Sequence, residues 1–140
     1  MAPTVFPPNA RVVLDTSALA AMLFDEPERE RFIELLADAD DPLISAATLA
    51  EAAIVVQSRI GDGGLADLDE LLSTAGVRCV AVDLAQAQAA RDAFSRFGKG
   101  RAAAGLNYGD CFSYALAKVA QRPLLFKGED FSQTDVTAAA

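Results

Sequence analysis

Four short apolar runs set the frame of this chain: Val12-Val13-Leu14, Pro42-Leu43-Ile44-Ser45, Val77–Val82 and Pro123-Leu124-Leu125-Phe126. Each has the length of one strand, and the stretches between them carry helical periodicity rather than hairpin turns. Strands joined through helices run parallel, because a parallel pair needs a long crossover connection. The runs are apolar without alternation, as expected of strands covered on both faces. The sequence therefore predicts an α/β fold, and in such sheets ligands gather at the carboxyl ends of the strands. At 140 residues there is room for one domain with a full core.

Helices are expected over Ala18–Phe24, from Pro27 onward with Phe32, Ile33, Leu35 and Leu36 facing inward, and over Ala46–Ile60, which is apolar almost all round. Gly61-Asp62-Gly63-Gly64 reads as a break, followed by a helix to about Thr74. Ala85–Phe97 reads as an Ala-rich helix. Another starts after Asn107, with Phe112, Ala115, Leu116 and Val119 as its core stripe. Asp135-Val136-Thr137 adds a short fifth strand. Met1–Ala10, with Pro3, Pro7 and Pro8, reads as a disordered extension, residues 11–137 as the domain and 138–140 as a tail. The apolar runs are too short to span a bilayer and the N-terminus lacks a secretory pattern. Cys79 and Cys111 sit in apolar segments at neither metal nor redox spacing, so reduced core thiols of a cytosolic, membrane-free protein are expected.

The net charge is −8, which excludes a generic nucleic-acid coat, yet its distribution is uneven. Residues 91–127 carry seven basic side chains (Arg91, Arg96, Lys99, Arg101, Lys118, Arg122, Lys127) against Asp92 and Asp110. That asymmetry fits either a basic rim for a phosphate backbone or a solvated helix face. Four acids stand at the margins of apolar elements. Asp15 follows the first strand, and is either an N-cap or a site residue. Asp110 lies three residues after Asn107, where a carboxylate also completes a capping box. Asp130 follows the fourth strand, where an exposed loop acid is the ordinary expectation. Glu51 is the only ionisable group in Ala46–Gln57, so it is buried at a cost or faces a cleft. Were all four to converge they would repel one another, and a hard divalent cation such as Mg²⁺ or Mn²⁺ would resolve that. The chain has no histidine, which excludes Ser-His-Asp catalysis, His-based ribonuclease chemistry and His-ligated zinc; phosphate-loop and dinucleotide motifs are also missing.

Val13-Leu14-Asp15-Thr16-Ser17-Ala18, Ser45–Glu51, Leu106–Asp110 with Tyr114-Ala115-Leu116-Ala117, and Leu124–Phe131 stand in order along the chain. These four motifs resemble those of PIN-domain ribonucleases, specifically VapC-type toxins of bacterial toxin–antitoxin pairs. The resemblance covers about Arg11 to Val136. It implies a three-layer α/β/α sandwich with a mostly parallel sheet of about four to five strands. It also implies Mg²⁺- or Mn²⁺-dependent endonucleolytic cleavage of RNA by a metal-activated water, with Asp15, Glu51, Asp110 and Asp130 as the metal-binding acids. Thr16 or Ser17 would orient the first acid or a metal water, and Asn107 would support the site beside Asp110. Lys99, Arg101 and Lys127 would meet the substrate. Tyr108 and Phe97 are expected in the core, with base stacking as their alternative. The resemblance further implies a homodimer held inactive by a cognate VapB-type antitoxin, often through an arginine among the acids.

Two other classes compete. A phosphorelay receiver domain would use Asp15, Asp83 and Lys127, but would want paired acids where Leu14 precedes Asp15, and leaves Glu51 and Asp110 without a role. A catalytically silent PIN-like binding module would use the acids to dock a basic peptide.

Overall fold

The computed structural model describes residues 10–140. The Pro-rich run with Pro3, Pro7 and Pro8 lies outside the described residues; Ala10 is already part of the domain, its carbonyl accepting from the Asp40 N–H. Strands β1 (Val13–Leu14), β2 (Leu43–Ser45), β3 (Arg78–Val80) and β4 (Leu124–Leu125) form one parallel sheet in the order β3-β2-β1-β4. Val13 pairs with Leu43 on one side and Leu124 on the other, and Ile44 pairs with Cys79. Side chains alternate across a strand. Val12, Leu14, Ile44 and Leu125 accordingly enter one core with helices α1 (Thr16–Leu23), α2 (Arg29–Ala37) and α4 (Asp62–Thr74). Val13, Leu43 and Leu124 enter a second core with α5 (Leu84–Phe97) and α6 (Tyr108–Ala120). Helix α3 (Ala46–Ile60) contributes Leu49, Ala52 and Ala53 to the first core and also packs on α6. This is the expected three-layer sandwich.

Several local expectations change. The fifth strand shrinks to a single bridge between Ala138 and Leu124, since Asp135 turns aside to bind Tyr114 and Lys118. Pairing thus reaches into the expected tail. Gly63 and Gly64 do not break the chain; Gly61, with φ +74°, makes the turn and α4 starts at once. A Cβ on Gly64 would stand 2.3 Å from Ile60 and 2.8 Å from Val56, so this glycine lets α4 close against α3. Cys79 is exposed rather than a core thiol, because β3 is an edge strand beyond the helical cover. Cys111 is buried as expected, and burial pushes its thiol up to about 11. Val119 is 45% exposed, and the buried part of α6 is Cys111 with the run Ser113–Ala117. No helix of the described residues is long and apolar enough to cross a membrane.

The connections send three site elements to one edge. Helices α1 and α3 start directly at the carboxyl ends of β1 and β2. Helix α6 runs back to the start of β4, so its N-terminus also lies at the carboxyl edge.

Candidate active site

Asp15 is the first residue past β1 and is 2% exposed. It is the N-cap of α1, accepting from the Ser17 N–H at 3.0 Å and the Ser17 hydroxyl at 2.6 Å, both on Oδ2. Its Oδ1 accepts from the Ser113 hydroxyl at 2.6 Å. Both readings of Asp15 hold together: the cap fixes a buried carboxylate at the sheet edge. Ser17, and not the Thr16 hydroxyl, thus holds the Asp15 carboxylate. The Thr16 hydroxyl donates to Glu51 Oε1 at 2.5 Å, tying α1 to α3. Glu51 is half-buried and faces the first turn of α6. A Cβ on Gly109 would fall 1.9 Å from Glu51 Oε2, so a larger residue there would force this carboxylate to move.

Asn107 caps α6 in the expected capping box: its side chain accepts from the Asp110 N–H at 2.9 Å, and Asp110 Oδ2 accepts from the Asn107 N–H at 3.0 Å. The capping role does not exhaust Asp110. Its carboxyl is pushed up to about 6, first by burial, against the pull of the Asn107 N–H, and further by the charges of Asp15, Asp130 and Glu51. Asp130 is exposed at the head of a short 3-10 turn, Phe131–Gln133. Its loop is anchored by Phe131, which packs on Phe126 with ring centroids 5.2 Å apart.

The charges of Asp15, Asp130 and Glu51 all reach Asp110, and no lysine or arginine forms an ion pair with any of the four among the described residues. As placed, no three of them come close enough together to hold a metal ion. The side chains instead rest on local donors: Asp15 on hydroxyls, Glu51 on Thr16, Asp110 on its own cap. The donor chemistry nonetheless suits a hard divalent ion, since it is all oxygen, negatively charged and mutually repelling.

The basic residues form no single rim. Arg96 and Lys118 pair with Asp135, Arg122 with Asp41, and Lys127 with Glu26 and Glu28. Arg91, Lys99 and Arg101 have no acidic partner among the described residues, and the last two stand in the expected loop, which a bridge between Gly98 and Leu106 closes. Lys127 reaches the site through its backbone, donating its N–H to the Ser17 hydroxyl at 3.0 Å. Tyr108 is 79% exposed rather than in the core, its ring edge-on to Phe112 at 4.9 Å. Phe97 packs on Tyr114 as a core residue. The receiver set does not assemble, because Asp83 caps α5 beyond the edge strand and Lys127 is paired elsewhere.

Sequence reasoning overlooked three contributors: Gly109, Ser113 and Thr48. No local signal marks them, because a hydroxyl on an apolar helix face or a glycine in a first turn shows its role only through its distant partner.

A family model described as the PIN domain matches residues 12–136. A ribonuclease VapC of Mycolicibacterium smegmatis is 57% identical over 127 residues, covering 91% of this chain and 98% of that protein. Two solved structures share the fold. One is Mycobacterium tuberculosis VapC20, described as a sarcin-ricin loop cleaving toxin (TM-score 0.73, 17% identity, 90% of this chain and 96% of that one). The other is VapBC2 of Rickettsia felis bound to a promoter DNA fragment (TM-score 0.72, 16% identity, 91% and 96%). With the motifs, the sheet order and these likenesses agreeing, the chain belongs to the VapC-type PIN-domain family.

Proposed function

We propose that this protein is an endoribonuclease that hydrolyses RNA phosphodiester bonds with a Mg²⁺ or Mn²⁺ ion held by Asp15, Glu51, Asp110 and Asp130. The observation that carries the reading is the unneutralised acid group, in which Asp110 is pushed up to about 6 by burial and by the other three acids. Repulsion of this kind favours a compensating positive charge, and a hard cation would supply it. When bound, the ion would stabilise charge developing on the phosphate and make a water more acidic.

The chain's own residues do the positioning. Ser17 and Ser113 fix Asp15, Thr16 turns Glu51 inward, and Asn107 sets the first turn of α6. Lys99 and Arg101 lie on an exposed loop and would take the RNA backbone, and Lys127 would exchange its glutamate partners for phosphate. A VapB-type antitoxin would neutralise the enzyme in the cytoplasm; the complexes known for structural neighbours support that partner. Exposed Ile54, Phe94 and Tyr108 offer apolar surface for it or for a homodimer.

The test is cleavage of total cellular RNA by purified protein. Discrete fragments are expected with Mg²⁺, and none with EDTA or in the Asp110→Asn variant. Absence of cleavage by the folded, antitoxin-free protein with either Mg²⁺ or Mn²⁺ would favour the silent binding module.

A further inference from the structure

Asp15 sits at the end of two chains of hydroxyl hydrogen bonds. One starts at the Lys127 N–H and passes through the Ser17 hydroxyl to Oδ2. The other joins Thr48, Ser113 and Asp15. The Thr48 and Ser113 hydroxyls are 3.0 Å apart, and Ser113 donates to Oδ1 at 2.6 Å. Both of these side chains are fully buried, and nothing in their motifs marks them. Ser113 has one proton and spends it on Asp15, so Thr48 must be the donor to Ser113. The direction of the chain is therefore fixed: Thr48 to Ser113 to Asp15.

The placement of the two residues is the second observation. Thr48 stands one turn from Glu51 on α3, and Ser113 one turn from Asp110 on α6. Residues three apart on a helix share a face. The pair thus links both acid-bearing helices to the acid at the end of β1, in a region where those acids repel. We propose that Ser113 and Thr48 are positioning residues, Ser113 fixing the Asp15 carboxylate and Thr48 fixing the Ser113 hydroxyl. The inference rests on the ribonuclease reading for its effect on activity, but not for its effect on Asp15.

The experiment compares wild type, Ser113→Ala, Thr48→Val, Thr48→Ser and the Ser113→Ala/Thr48→Val double variant. It measures Mn²⁺ binding by equilibrium dialysis, kcat and KM for RNA cleavage, thermal unfolding, and the ¹³C carboxyl resonance of Asp15. Partners of metal-binding groups carry about 10- to 100-fold in affinity or activity. Ser113→Ala should weaken Mn²⁺ binding and lower kcat about tenfold, leaving KM within twofold. Thr48→Val should do the same to a smaller degree, and Thr48→Ser should restore wild-type behaviour. Because Thr48 acts only through Ser113, the double variant should bind Mn²⁺ no worse than Ser113→Ala. It should also unfold no earlier, since the second change removes an orphaned buried hydroxyl. Variants that shift only the melting temperature, with Mn²⁺ affinity, kcat and the Asp15 resonance unchanged, would overturn the proposal. If wild type neither binds Mn²⁺ nor cuts RNA, the ribonuclease reading fails alone. The positioning claim then stands or falls on whether both single variants move the Asp15 resonance.

Discussion

The two edges of the sheet treat aspartate in opposite ways. Asp41 lies just before β2, at the amino edge, where Arg78 holds it at 2.9 Å, Arg122 at 3.0 Å and Arg11 at 3.7 Å. Hydrogen bonds from Arg78 and then Arg122 hold its carboxyl well below the usual range. Asp110, at the carboxyl edge, has no cation and is pushed up to about 6 by burial and by like charges. One edge is neutralised by the chain's own arginines, and the other carries no such ion pair among the described residues. On the proposed function, that deficit is the one a bound cation would make good.

The largest expected effect breaks the carboxyl edge. Asp15→Asn keeps the shape of the side chain but removes its charge, and RNA cleavage should fall at least about 100-fold, as for loss of a group acting on transition-state charge. Gly109→Ala should come next. Its Cβ would displace Glu51, so cleavage should fall about tenfold, while circular dichroism shows α6 intact, since alanine favours a helix by about 0.5–1 kcal/mol.

At the amino edge, Asp41→Asn should lower the urea midpoint and leave cleavage within twofold, because three arginines lose their shared partner far from the site.

The smallest effect is the pH dependence of stability in EDTA, and here the edges act with opposite sign. Asp41 and Asp135 have depressed folded values, Asp135 chiefly through the Tyr114 hydroxyl and then Lys118. Their stabilisation is present above the unfolded value near 3.9 and is lost as pH falls below it. Asp110 is raised, so the folded state binds its proton more tightly, and stability gains as pH falls from about 7 towards 4. Denaturation midpoints should therefore rise slightly and then drop steeply on acidification. Asp110→Asn should remove the rise, and Asp41→Asn should soften the drop.

What could be read in advance follows from what is local. The bounds of Ala46–Ile60, the Asn107–Asp110 capping box and the Asp15 cap depend on neighbours a turn away, and each is found where expected. Strand order is not local, so the edge position of β3 and the exposure of Cys79 were hidden. The same limit applies to charge pairs. Arg122 and Asp41 lie 81 residues apart, and Lys127 and Glu26 farther still, so a basic cluster in sequence dissolved into separate ion pairs. Ser113 and Thr48 escaped because a buried hydroxyl within a helix has no signature until its distant partner is known.

The central claim is that the carboxyl-edge acids await a divalent cation. Calorimetric titration with Mn²⁺ of wild type, Asp15→Asn and Asp41→Asn tests it directly. Saturable binding by wild type and Asp41→Asn with equal affinity, lost in Asp15→Asn, is the predicted result. Binding that survives in Asp15→Asn, or no binding by folded wild type, would contradict it.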